Sequence, residues 1–174
     1  MSSVLKVDAI QNTAGTSALT IDSSGRVSRG VIPAWRLCLS AQQDITTAGG
    51  SGTDVTFDDS TTGNFGFLQG GCTLSSGAIT VPVTGLYQVN AVLRFDDIGS
   101  GYIIMRILKN NDQGDKKELY VIQGTPSTSY DTVSGSDLFS CTAGDTLRVS
   151  AMASADTSWH LDPNGCKFSG YLVG

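Results

Sequence analysis

The stretch from Gly85 to Phe95 constrains this chain more than any other. Tyr87, Val89, Ala91, Leu93 and Phe95 fall on one side of an extended strand, and Leu86, Gln88, Asn90, Val92 and Arg94 on the other. A period of two with one fully apolar side belongs to a strand that lies on a core and turns its second side away from it. No segment shows a 3.6-residue period over twelve positions. Shorter strand signals recur through the rest: 31–41, 53–57, 78–83 (where Pro82 belongs at an edge or strand end), 102–109, 118–123, 131–141, 146–153 and 167–173. Turn residues lie between them. Gly, Ser and Thr make up 60 of 174 residues, and only 16% are charged. About ten short strands over 144 residues predict an all-β fold, an antiparallel sandwich or jelly roll.

Residues 1–30 read differently from residues 31–174. Val4–Ile10, Ala18–Asp22 and a run starting at Val27 are three short strand signals separated by turns around Gly15 and Gly25. Each is too short to bury a face of its own. Such a segment orders by pairing with other chains or with a larger body; the other reading is a loose tail.

Composition closes off several classes of function. The net charge is −5 and the pI about 4.6, which argues against binding nucleic acid through its phosphates. No run of eighteen apolar residues exists to span a membrane, and no basic flank with an apolar stretch marks an export signal. Cys38, Cys72, Cys141 and Cys166 lie far apart with no metal-ligand spacing. They read as reduced, small apolar residues, with a disulfide as the alternative.

Several short motifs go beyond pattern. Ile79–Tyr87, with Pro82, Gly85 and Tyr87 in the spacing P-x-x-G-x-Y, resembles a signature of the C1q/TNF-like family. Ile107-Leu108-Lys109-Asn110-Asn111 is similar to its KNG turn, with Asn111 where glycine is expected. Ser134–Asp145, continuing to Leu147, resembles its GD segment; Phe168-Ser169-Gly170-Tyr171-Leu172 resembles its closing FSG motif; Leu37–Ala41 and Val55–Asp58 resemble its opening strands. The order matches the family's over residues 35–174. The resemblance implies a ten-strand C1q/TNF-like jelly roll that forms a homotrimer. It also implies a subunit contact on the side of the central strand opposite Tyr87, made by Gln88, Asn90 and Val92 with Phe168 and Leu172. The competing reading of that side is a solvated outer face.

Ser3–Asn12 and Leu19–Val27, the latter reading L-x-I-D-x-x-G-x-V, resemble N-terminal segments of tailed-phage fibre and virion proteins, those of cyanophages among them. The two resemblances together imply a phage virion structural protein made in the host cytoplasm. Residues 1–30 would attach to the capsid or tail, and residues 31–174 would project as a fibre knob or capsid decoration. The alternative is an adhesion module that contacts a host receptor or glycan.

The chain is not expected to be an enzyme. Its single histidine, His160, alternates with Ser158 and Asp162, but same-side residues of a strand sit about 6.6 Å apart, too far for a hydrogen-bonded triad. Trp159 reads either as a surface contact for a receptor or sugar or as a lid over the core. Aspartates at 58–59, 96–97 and 112/115 suit calcium, which some C1q-like trimers bind, or are simply solvated turn residues. No other cofactor is expected.

Overall fold

The computed structural model describes residues 7–15, 17–45, 52–58, 66–96, 101–110, 118–125, 130–153 and 159–174. They contain strands and no helix. The chain divides between Ile32 and Pro33 into two compact units.

The N-terminal unit is a three-stranded antiparallel meander, β1 (Ala9–Gln11), β2 (Ser17–Ile21) and β3 (Val27–Arg29). Both of its turns use the same chemistry. The carboxamide of Asn12 accepts the Ala14 N–H at 3.0 Å, and the carboxylate of Asp22 accepts those of Ser24 and Arg26 at 2.9 Å. Gly15 and Gly25 then close the turns at φ of 80° and 76°, which a side chain would resist. Residues 1–6, where the first strand signal was expected to begin, lie outside the described residues.

The C-terminal unit is a two-sheet antiparallel jelly roll. Its strands are β4 (Ala34–Cys38), β5 (Gln43–Ile45), β6 (Thr53–Asp54), β7 (Phe67–Gln69), β8 (Thr73–Ser75), β9 (Ala78–Thr80), β10 (Gly85–Asp96), β11 (Gly101–Lys109), β12 (Glu118–Thr125), β13 (Tyr130–Cys141), β14 (Thr146–Ala153), β15 (Trp159–Leu161) and β16 (Lys167–Leu172). One sheet runs β5-β15-β10-β16-β4-β7, with β13 along the other edge of β10; the second runs β12-β11-β14-β9-β8, with β6 on β14. The long alternating segments become the long strands. The added short ones, β5, β7, β8 and β15, have three residues each, too few for alternation to show in sequence. Pro82 lies just beyond β9, where no ladder N–H is needed.

The core fills the space between the sheets. Tyr87, Val89, Ala91, Leu93 and Phe95 of β10 meet Ile103, Met105 and Ile107 of β11 and Leu147, Val149 and Ala151 of β14, all buried. Aromatic rings anchor the β4–β16–β10 end. Trp35 lies 6.1 Å from Tyr87 and 5.7 Å from Phe168, and Phe57 lies 5.7 Å from Phe168. Gly170 leaves room for the Trp35 indole, because a Cβ on residue 170 would collide with that ring. All four cysteines are free, and burial pushes the Cys166 thiol up to about 11.

Candidate functional site

The outer side of the seven-stranded sheet is the broadest continuous surface that the register defines. On β10, Gln88, Asn90 and Val92 are half-buried and point out of the barrel, as expected. The expectation for β16 needs correcting. Phe168 pairs with Ala91 and Leu172 with Tyr87, and directly opposed residues share a side. Phe168 is therefore fully buried in the core, and Leu172 packs against its edge; neither belongs to an outer contact. The outward residues of β16 are their neighbours Lys167, Ser169 and Tyr171, opposite Val92, Asn90 and Gln88. The FSG motif carried the right strand with the side inverted, because its apolar Phe168 and Leu172 pack inward.

Rows across the sheet extend this surface. Leu138, Ser136 and Ser134 of β13 stand opposite Gln88, Asn90 and Val92. Gln88 reaches across to donate to Ser136 Oγ at 2.7 Å. Arg36 of β4 stands between Ser169 and Phe67. Toward the Leu86 end the surface is apolar: Leu86 is 46% exposed, Leu138 54% and Tyr171 50%, while Phe67 stands apart at the far edge of the Asn90 row, beyond Arg36. Val173 joins them through a backbone bond to Leu86. Toward the Asp96 end it is charged. Arg94 pairs with Asp162 at 3.2 Å and lies 4.1 Å above the Tyr130 ring. The His160 Nδ1 sits 2.7 Å from an Asp44 oxygen, and Asp96 flanks His160 in register on the other side.

Trp159 is a second correction. It is fully buried, pairs with Ile45 and meets Phe95 edge-on at 6.4 Å, so it is a lid on the core and makes no surface contact. Its placement on β15 also separates the residues beside it. His160 is hydrogen-bonded to Asp44 and Asp162 pairs with Arg94, while Ser158 lies outside the described residues. Among the described residues, His160 and Asp162 thus take different partners.

The aspartate clusters divide similarly. Asp58 forms a backbone bridge to Cys38, and Asp96 lies in the β10 ladder; Asp59, Asp97, Asp112 and Asp115 lie outside the described residues. Among the described residues no group of three His, Cys, Asp or Glu side chains gathers to hold a metal ion.

Two sequence motifs turn out to be halves of one lock. Asn110, at φ 52°, donates its amide to Asp145 Oδ1 at 2.7 Å and accepts the Thr146 N–H at 2.8 Å. Asp145 Oδ2 accepts the Thr142 N–H at 2.8 Å and pairs with Lys109 at 2.9 Å. These bonds, that from Asn110 first, hold the Asp145 carboxyl down to about 2. Asn111 lies outside the described residues, so the departure from the family glycine is not placed. The Tyr87 hydroxyl donates to Val83 O at 2.8 Å and fixes the P-x-x-G-x-Y segment in the same structural way.

No protein-family model matches the chain, and no curated protein sequence does. Solved structures do. The crystal structure of murine APRIL at pH 5.0 superposes with a TM-score of 0.58 at 17% identity, covering 82% of this chain and 99% of that one. Murine APRIL at pH 8.0 gives 0.58 at 16% identity, covering 83% and 100%. At these identities the likeness is one of fold: the chain is an all-β, TNF-like jelly roll. No helix among the described residues is long and apolar enough to cross a membrane.

Proposed function

We propose that this chain is a homotrimeric structural protein of a phage virion, a fibre knob or capsid decoration. The jelly roll would project from the particle, and the N-terminal unit would attach it to capsid or tail proteins. The observation that carries the assembly is the apolar end of the outer surface. Leu86, Leu138 and Tyr171 stand exposed together at that end, bordered by Ser136, Asn90 and Ser169, an apolar patch with a polar margin that suits contact between subunits. The virion part is supported by the resemblance of Ser3–Asn12 and Leu19–Val27 to virion N-termini and by the division of the chain at Ile32. The adhesion reading loses its named contact with the burial of Trp159, and no other observation favours it.

The test is a deletion of residues 1–28 expressed alongside the intact particle components. The shortened protein should stay soluble and trimeric while failing to enter particles. Normal incorporation of the shortened chain would overturn the attachment role.

A further inference from the structure

The N-terminal meander carries an apolar patch with no second layer over it among the described residues of its own unit. Ile10 stands directly opposite Leu19, and Ile21 opposite Val27. Leu19 and Ile21 are two apart on β2, so all four residues belong to one face, where the register also puts Arg29 opposite Leu19, while Ala9 and Thr20 share the other. Ile10 is 52%, Ile21 37% and Val27 62% exposed. The face is held in this state by design of the backbone. The paired Asx turns at Asn12 and Asp22 fix the register, and a slip of one residue would send every one of these side chains to the opposite face. An apolar patch of this kind gains free energy when it is taken out of water.

The size of the face selects its occupant. Four aliphatic side chains offer apolar area on the order of 300 Å², the low end of what a protein surface carries. A free partner needs roughly 800 Å² per side for a stable complex, so this face is too small to capture one from solution. Copies held together elsewhere face no such threshold. Only four residues, Gly30 to Pro33, separate β3 from β4, and in an assembled jelly roll a short tether sets an effective concentration of about millimolar. We propose that the Ile10–Leu19–Ile21–Val27 face packs against the same face of other copies of this chain, a second self-association point beside the jelly roll. The proposal rests on the homotrimer reading above, which supplies the tether.

Cross-linking on the full chain tests it. Val27→Cys places a thiol on the apolar face, and Thr20→Cys places one on the opposite face of the same sheet. Each variant and the unaltered chain, which reports the background of the four native thiols, is treated with a short bis-maleimide. Light scattering is measured in parallel. Trimers whose Val27→Cys chains link several-fold more than both controls, undiminished on dilution, support the proposal. Trimers in which Val27→Cys links no more than Thr20→Cys overturn it and leave the homotrimer standing; the face is then covered within one chain or by another protein. A monomer by scattering, with no excess linking at residue 27, overturns the homotrimer reading and this proposal together.

Discussion

Asp145 shows how much a single turn residue can carry. Its carboxylate joins Asn110, Lys109 and the Thr142 N–H, and so ties the β11 end to the start of β14. Its pKa of about 2 is below the ordinary carboxylate value near 4, so the folded state favours the ionised form. The stabilisation is complete above pH 4 and is lost as the pH falls from about 4 to about 2. Asp145→Asn should remove about 1–2 kcal/mol at neutral pH, because an amide NH₂ would face donors where a carboxylate oxygen now accepts. The same variant should flatten the acid limb of stability between pH 4 and 2, read by denaturant unfolding across that range. An unchanged acid limb would take the lock out of Asp145's hands. Sequence reasoning placed Lys109-Asn110 and Gly144-Asp145 as two separate motifs. Their 35-residue separation hid the bond between them. Trp159 was ambiguous for a related reason: a residue beside a loop reads as exposed until the strand on its far side, β5, is known.

At the scale of the strand, β10 was legible almost completely. Its strict alternation gave both sides, and every inward residue named from sequence is buried. β16 was legible as a strand and misread in phase. A six-residue strand holding Phe168, Gly170, Tyr171 and Leu172 has apolar residues on both sides, so periodicity alone does not choose the inner one; the register Ala91–Phe168 does. The same register identifies which outer residues matter. In the proposed homotrimer, Leu138→Asp or Val92→Asp should dissociate the subunits, since either would place three like charges in a contact that loses water and remove an apolar side chain worth roughly 1.5–3 kcal/mol per copy. Thr73→Ala, exposed on the opposite sheet, should leave it intact. Light scattering decides between them, with circular dichroism to verify the fold; a Leu138→Asp protein that is still a full trimer would exclude the apolar end of the outer surface from the contact.

For the molecule as a whole, the jelly roll was readable from strand spacing and turn residues, while the pairing order was not, because it joins segments far apart in sequence. The widest of these joins has a consequence for how the protein is made. β16, the last strand, fills the slot between β10 and β4, and its Gly170 receives the Trp35 ring from the first strand of the same unit. Until residues 167–172 leave the ribosome, β4 has no neighbour on that side and the core stands open along a seam. Folding of this unit thus waits for its last strand and is dominated by long-range pairing, which makes it correspondingly slow. Nascent chains arrested before Lys167 should be cut readily by protease. Chains arrested beyond Gly174, with a C-terminal extension long enough to clear the exit tunnel, should resist it. Equal resistance in both would mean that the sheet closes without its last strand. In a cell making many copies at once, an open slot on one chain can also accept the β16 of another whose own last strand has emerged but not yet paired.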